Sequence, residues 1–146
     1  MFRYLFLLII ISFFGCEDDN LKEVPTTLIA RGNLGGAGEE GIIAQNLVID
    51  NNEDWDALLQ QVDAVNEESP NFSETSVDFD SFQVIAIFDE VRPSAGYSID
   101  LSVTESNMRR TATVTYTQPS GIVLTVITQP YLIIKVPRSG SPIAFH

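Results

Sequence analysis

The sequence predicts an α+β domain, built as an antiparallel β-sheet or compact sandwich with one amphipathic helix packed against it. Three observations support this prediction. One segment has apolar residues at helical spacing, whereas five later segments alternate with a period of two or are short and wholly apolar. Clusters of Gly, Pro, Asn and Asp separate these segments. With 146 residues, 45% of them hydrophobic, the chain is long enough for one packed domain.

The elements before the helix are short. Residues 27–30 predict a first strand, and the glycine-rich residues 32–38 predict a flexible turn. Residues 41–50 contain enough aliphatic side chains for one or two short strands.

The helix is predicted from about residue 53 to residue 65. Asn51 or Asn52 can cap it, because either side chain can accept a hydrogen bond from a free backbone N–H group of the first turn. Acidic residues follow at once and complement the positive end of the helix dipole. The apolar residues lie at i, i+3, i+4 and i+7 and form one stripe that must be buried: Trp55, Leu58, Leu59 and Val62.

Strands are predicted along the rest of the chain. Residues 82–88 are short and nearly all apolar, which is typical of a strand buried on both faces. Residues 97–104 alternate apolar and polar side chains, and residues 110–117 supply an antiparallel partner across a turn. Two further strands are predicted at residues 122–128 and 131–136.

The composition excludes several classes of function. A formal net charge of −12 disfavours nucleic acid as a partner, because binding phosphates requires positive charge. A single Cys excludes an internal disulfide and a multi-cysteine zinc site, and the single His is the last residue, His146. We therefore expect no catalytic triad, no enzyme activity, no metal and no cofactor.

Residues 1–15 predict a lipoprotein signal peptide. One positive charge at Arg3 precedes about ten apolar residues, which are too few to span a bilayer as a stable helix. The segment ends in Gly15-Cys16, which resembles the lipobox of bacterial lipoproteins, although Phe13 and Phe14 depart from the usual residues. The resemblance implies that Cys16 becomes the lipidated N-terminus, anchored in a membrane by its acyl chains.

Residues 16–27 then form a predicted acidic tether, and residues 28–146 form a single globular domain. The acidic run at residues 17–20 resembles the surface-export signal of lipoproteins in the Bacteroidetes group, and a solvated linker is the alternative. Both interpretations place the domain in water, near but outside the bilayer. We expect an outer-membrane lipoprotein of the Gram-negative cell envelope, in the periplasmic or the outer-surface leaflet.

Two formal motifs do not predict a site. Residues 36–41 match G-x-G-x-x-G, but Glu39 and Glu40 would repel phosphate and β-type residues follow where the dinucleotide motif needs a helix. Asp50, Asn52 and Asp54 have the spacing of a calcium loop, but the glycine at the sixth position is absent, so a helix start explains them better.

The loop after the predicted buried strand is the candidate functional site. It runs Arg92, Pro93, Ser94, Ala95, Gly96, Tyr97. Proline fixes φ and glycine can adopt a positive φ, so the loop has a defined shape. It is either a shaped connection whose tyrosine fills the core or a rigid binding edge.

Five segments occur in one order: residues 52–55, 77–79, 82–86, 92–99 and 129–137. Together they resemble the C-terminal domain of the protease complex subunit PrcB. Typical members have an acidic-Trp helix, an Asp-Phe pair before a buried strand, a Pro-x-x-Gly-Tyr-Ser loop and a Pro-Tyr-x-x-x-x-Val-Pro ending. The resemblance covers roughly residues 45–146, and Leu132 stands where a His is frequent, so any role of that His is absent here.

The resemblance implies a non-catalytic, lipid-anchored accessory module, because the family's namesake supports assembly of a surface protease without being the protease. A protein partner, such as a protease, is therefore expected. The loop at residues 92–97 is also similar to one loop of chagasin-type cysteine-peptidase inhibitors, although Arg92 replaces an Asn. Direct peptidase inhibition through residues 92–97 is the alternative function.

Overall fold

The structure, a computed structural model, describes residues 21–107 and 109–146, which form two largely antiparallel sheets and one α-helix. The strands are β1 Lys22–Glu23, β2 Thr27–Leu34, β3 Gln45–Ile49, β4 Phe82–Phe88, β5 Ser98–Glu105, β6 Arg110–Thr117, β7 Gln129–Pro137 and β8 Ile143–Phe145. One sheet has the order β1-β5-β6-β8, and the other has the order β2-β7-β4-β3. The β8 strand runs parallel to β6, and the remaining pairs are antiparallel. The predicted β-rich fold with one helix is confirmed.

The two central strands of the second sheet, β4 and β7, are the most deeply buried. Six of the seven β4 residues and seven of the nine β7 residues are buried. Each strand has a neighbour on both edges, and an apolar side chain can be buried on both of their faces. The prediction of a doubly buried strand at residues 82–88 is therefore confirmed.

The helix, α1, spans Asn52–Val62, and Asn51 is its N-cap residue. The Asn51 side-chain oxygen accepts a hydrogen bond of 2.9 Å from the Asp54 backbone N–H. The helix ends three residues earlier than predicted. Asp63 explains the early end, because its carboxylate accepts hydrogen bonds of 2.7 and 2.6 Å from the backbone N–H and hydroxyl of Ser69 and so ties the chain into the following turn.

Two apolar clusters lie on opposite faces of β4 and β7. This division follows from the alternation of side chains along a strand. The first cluster joins the helix stripe to one face of the central strands: Trp55, Leu58, Val62, Val84, Ala86, Phe88 and Ile133. The second joins the opposite face to the first sheet: Ile85, Ile87, Leu132, Ile134, Ile99, Val103 and Ala112.

The strand predicted at residues 122–128 is wrong. Within the described residues, the stretch 118–127 has no strand, and Thr128 makes a single bridge to Arg92. The stretch cannot lie beside β7, whose two edges are already paired with β2 and β4, and among the residues that the structure describes it forms no ladder with the edge strands β1, β2, β3 and β8. Residues 122–127 therefore run irregularly over the surface, and we call them the apolar segment.

Two short strands were not predicted. β1 has two residues and β8 has three, which is too short for a period of two to be visible. β1 lies within the predicted tether, and the following residue, Val24, is buried in the second cluster. Its backbone N–H donates a hydrogen bond of 2.8 Å to Val103 O.

Candidate functional site

The candidate loop, residues 92–97, is fixed by backbone hydrogen bonds to the chain that precedes β7. The Arg92 N–H donates to Thr128 O at 2.7 Å, and the Thr128 N–H donates to Arg92 O at 3.0 Å. Further along, the Ala95 N–H donates to Leu124 O at 3.1 Å. The loop therefore has one defined path and is not held by side chains alone.

The Arg92 side chain holds the base of the loop to the end of β4. Its Nε and Nη2 atoms donate to the two carboxylate oxygens of Asp89, both at 2.8 Å, and its Nη1 lies 2.7 Å from a carboxylate oxygen of Glu90. The bidentate hydrogen bonds that Arg92 donates to Asp89 raise the pKa of Arg92 above its usual value, although burial opposes this. The guanidinium also stacks over the Tyr97 ring, 4.8 Å from its centre, so Tyr97 is held at the loop rather than buried in the core.

Gly96 sets the shape of the tip. Its φ is +96°, a conformation that residues with a side chain rarely adopt. A Cβ atom at this position would lie 2.8 Å from Cβ of Pro119. The loop therefore requires glycine here for conformation and for space.

Buried polar groups support the loop from below. Asp89 is 7% exposed and Gln129 is 1% exposed. The Gln129 side-chain amide donates hydrogen bonds to Asp89 O at 2.9 Å and to Ile42 O at 2.8 Å, and the Asp89 N–H donates to Pro130 O at 3.0 Å. These bonds lock the end of β4 to the start of β7, so the loop starts from a rigid base.

Exposed apolar side chains surround the loop. Pro93 and Gly96 are exposed at its surface. In the apolar segment, Ile122 is fully exposed and Leu124 is 77% exposed. Further exposed apolar side chains lie in the same segment, before the loop and on β6: Val123, Val126, Ile127, Val91 and Tyr116. Burial raises the pKa of Tyr116, the charge of Asp89 adds to this effect, and the charge of Arg92 opposes it. A rigid loop beside exposed aliphatic side chains is suited to contact with another macromolecule.

The structure brings the six predicted loop residues together, whereas Cys16, the predicted lipidation site, lies outside the described residues. Sequence analysis missed the roles of Asp89 and Gln129. The available signal for Asp89 was Arg92, which follows it by three residues and can form an ion pair with it. Nothing in the sequence pattern distinguished Gln129.

The residues of the two rejected motifs have structural roles. Glu40 is buried and accepts a hydrogen bond of 2.7 Å from the Gly36 N–H, so it closes the glycine-rich turn on itself. Asp54 lies in the first turn of α1, where its N–H is capped by Asn51. In the described part of the chain, no three His, Cys, Asp or Glu side chains are arranged to hold a metal ion. Across residues 21–107 and 109–146, no helix has the length and apolarity needed to cross a bilayer.

Comparison with known protein families supports the resemblance predicted from sequence. A family model described as PrcB C-terminal matches residues 83–137. The match begins in β4 and ends with β7, so it contains the candidate loop, β5, β6 and the apolar segment. Comparison with curated proteins and with solved structures gave no significant match.

Proposed function

We propose that this chain, whose residues 83–137 match the PrcB C-terminal family model, is a non-catalytic accessory module of the Gram-negative cell envelope that binds a protein of an extracytoplasmic protease complex. The surface that binds the partner is the loop at residues 92–97. A membrane anchor at Cys16 holds the module at the outer membrane. Nucleic acid is not a partner of a chain with a net charge of −12.

The observation that carries this proposal is the fixed shape of the loop. Three backbone hydrogen bonds, one bidentate ion pair and one positive-φ glycine determine its path, yet Pro93 and Gly96 stay exposed. A loop that is ordered before binding loses little conformational entropy when a partner arrives. Rigid exposed loops on a β scaffold are a common form of binding surface.

The family match supports an accessory role rather than catalysis. It covers the whole loop, and the resemblance to that family implies a module that accompanies a protease without being one. The one His of the chain, His146, is exposed at the end of the chain, after β8. Asp89, the best-placed carboxylate near the loop, is already neutralised by Arg92 and is not available as a general base.

The proposed organisation has three parts: a signal peptide at residues 1–15, a lipidated Cys16 with an acidic tether, and a domain that begins with β1 at Lys22 rather than at the predicted residue 28. We further propose that the two sheets of the domain pack as a compact sandwich. The second apolar cluster supports this, because it contains side chains from both sheets.

Chemical crosslinking in membranes tests the loop. The full chain is produced in its host, crosslinked and recovered, and the bound proteins are identified by mass spectrometry. Pro93→Lys places a charge on the loop, and Pro25→Lys makes the same change at another exposed proline. We expect the wild type and Pro25→Lys to recover the same protease-complex protein and Pro93→Lys to recover about tenfold less. Equal recovery with both variants, or no recovered protease-complex protein, would contradict the proposal.

Labelling with palmitate tests the proposed membrane anchor at Cys16. Cells that produce the full chain are labelled with radioactive palmitate, and we expect the wild type to be labelled and Cys16→Ser to be unlabelled and released from membranes. An unlabelled wild type would remove the anchor from the proposal and leave the loop experiment unaffected.

A peptidase inhibitor is the second candidate. The observation that favours it is the same exposed Pro93–Gly96 tip, which has the fixed shape that insertion into a peptidase cleft needs. A panel of papain-like peptidases distinguishes the two functions. Inhibition by the wild type that is lost in Pro93→Lys would favour the inhibitor, and absence of inhibition at micromolar protein would exclude it.

A further inference from the structure

The apolar segment has the composition of a strand but no place in either sheet. Its sequence, Ile-Val-Leu-Thr-Val-Ile, consists of β-branched and aliphatic residues with the highest strand preference. Burying these side chains would be favourable, yet Ile122, Leu124 and Ile127 are at least half exposed. In the monomer, these β-prone residues form no strand and lie outside both sheets.

The backbone of the apolar segment is also largely unpaired. Among the described residues, Leu124 O is the one backbone group of the segment that takes a hydrogen bond from another backbone group, from Ala95. The other N–H and C=O groups of residues 122–127 are free to pair with an added strand. Such open, β-prone edges are where further strands add to a fold.

Charge indicates what kind of strand can add. The whole chain has a formal net charge of −12, so two copies repel each other over most of their surface. Residues 111–134 are an exception, because none of these 24 residues is charged. The apolar segment lies inside this uncharged stretch, so it is a place where two copies can approach without bringing carboxylates into contact.

We propose that the apolar segment pairs in an antiparallel arrangement with the same segment of a second copy. An antiparallel pair of identical strands has two-fold symmetry, so each copy offers the same surface and the contact closes as a dimer. Pairing would satisfy the free backbone groups along one edge of the segment and bring the exposed Ile122 and Leu124 side chains of the two copies together on one face. One strand and a few neighbouring side chains form an interface at the small end of the usual range, so we expect a dissociation constant on the order of 10 µM.

The dimer goes beyond the proposed function and does not depend on it. Because Leu124 O is bonded to Ala95, the loop lies along one edge of the segment, so a second copy would add at the other edge and the two candidate loops would lie on the outer sides of the pair. The crosslinking test with Pro93→Lys concerns a different protein, and it can fail while the dimer is confirmed, or the reverse.

Cysteine crosslinking tests the dimer in membranes from cells that make the full chain. Thr125 lies at the middle of the segment, where two-fold pairing sets a residue opposite itself or its neighbour. Opposite residues have Cα atoms about 4.5–5.5 Å apart, within the range that a disulfide requires. With a mild thiol oxidant, Thr125→Cys should give a product of twice the mass that disappears on reduction.

Matched variants show whether the contact is specific. Ile43→Cys places a thiol at an aliphatic position that is 72% exposed and remote in sequence, and it should not crosslink. The wild type measures any contribution of Cys16. In the Thr125→Cys background, Leu124→Lys should lower the yield about tenfold by setting two like charges against each other, while Ile43→Lys should not.

Several outcomes would overturn the proposal. They are no dimer from Thr125→Cys, equal yields from Cys at positions 43 and 125, or a yield that Leu124→Lys leaves unchanged. A crosslinked product of another mass would show that a different protein covers the segment and would likewise overturn the second copy as its occupant.

Discussion

Residues 122–127 and residues 131–136 are two β-prone, mainly aliphatic runs separated by three residues. The first run is exposed, whereas the second is buried. The second run is part of β7, where Leu132 and Ile133 are 1% and 0% exposed. The first run is the apolar segment, where Ile122 is fully exposed. The two runs have the same strand preference and different surroundings.

The difference shows that pairing partners, rather than composition, decide which run becomes a strand. β7 has β2 on one edge and β4 on the other, so its residues 131–135 have backbone partners along both edges. Both edges of β7 are occupied, so the apolar segment cannot pair with it and lies at the surface. Its two anchors are the Ala95–Leu124 hydrogen bond and the Arg92–Thr128 bridge, so it is positioned by the candidate loop.

The largest expected effect is a difference in the free energy of unfolding between the same substitution made in the buried run and in the exposed run. Ile133 lies in the first apolar cluster, opposite Ala30 on one neighbouring strand and Ala86 on the other. Ile133→Ala should lower the free energy of unfolding by about 3–4 kcal/mol, because it leaves a cavity in a close-packed core. Urea denaturation with a folded-state signal gives the value.

Ile122→Ala is the matched control for that measurement, because it removes the same atoms from a fully exposed position. Its cost should be below about 0.5 kcal/mol when measured at concentrations where the chain is monomeric. A similar loss of unfolding free energy at the two positions would mean that the apolar segment is buried in solution, and it would contradict the difference between the two runs.

The second effect concerns Arg92, which bridges to Thr128 just after the exposed run. Arg92→Met leaves Asp89 buried without its cation, and the Arg92 side chain itself is 21% exposed. The free energy of unfolding should fall by about 2 kcal/mol, less than for a fully buried pair because water reaches one partner. Arg31→Met is the control, because the Arg31–Asp100 pair is 50% and 61% exposed and should be worth less than about 0.5 kcal/mol. Thermal or urea unfolding of both variants measures the contrast, and a loss of the same size in both would show that Arg92 does not anchor the loop.

Much of the fold could be predicted because its main elements carry strong local signals. The period of two at residues 110–117 matches β6 at both ends, and the apolar run at residues 82–88 matches β4. The capping role of Asn51 and the Trp55 stripe fixed the start and the buried face of α1. The end of the helix was not predictable in this way, because it depends on the contact between Asp63 and Ser69, six residues apart.

The site was predictable in part. Pro93 and Gly96 identified a shaped loop, because both residues restrict or extend φ in a known way. The apolar segment was predicted as a strand because local preference does not show whether a neighbouring strand pairs with it. The role of Gln129 could not be predicted for a similar reason, since its two acceptors, Ile42 O and Asp89 O, are 87 and 40 residues away in the sequence.

A smaller effect is expected at the contact between the loop and the stretch that leads into the apolar segment. Gly96→Ala introduces a Cβ at a φ of +96° and 2.8 Å from Pro119, so the free energy of unfolding should fall by about 1–2 kcal/mol. Gly121→Ala meets a φ of +81° with no atom within 4 Å, so it measures the conformational part alone, about 1 kcal/mol. Urea unfolding should therefore rank Gly96→Ala as the more costly change. The opposite ranking would show that Pro119 does not pack against the loop.

The smallest effect depends on pH and concerns the buried run. Burial, reinforced by the charges of Glu40 and Asp63, raises the pKa of Glu68 above 4.5, and the same Glu68 charge adds to the burial that raises the pKa of Tyr131 in β7 to about 12. A carboxyl with a raised folded-state pKa binds more protons in the folded state than in the unfolded state. Its contribution to stability is therefore present below pH 4.5 and is lost as the pH rises through the folded-state pKa.

Glu68→Gln should consequently be more stable than the wild type at pH 7, by a few tenths of a kcal/mol after allowance for solvent screening, and the difference should vanish towards pH 4.5. Thermal unfolding at several pH values measures it. Glu67→Gln makes the same change of net charge at an exposed neighbour and should show a smaller gain at pH 7. If both variants gain equally, the gain comes from lowering the overall negative charge of the chain, and Glu68 exerts no specific repulsion beside the buried strand.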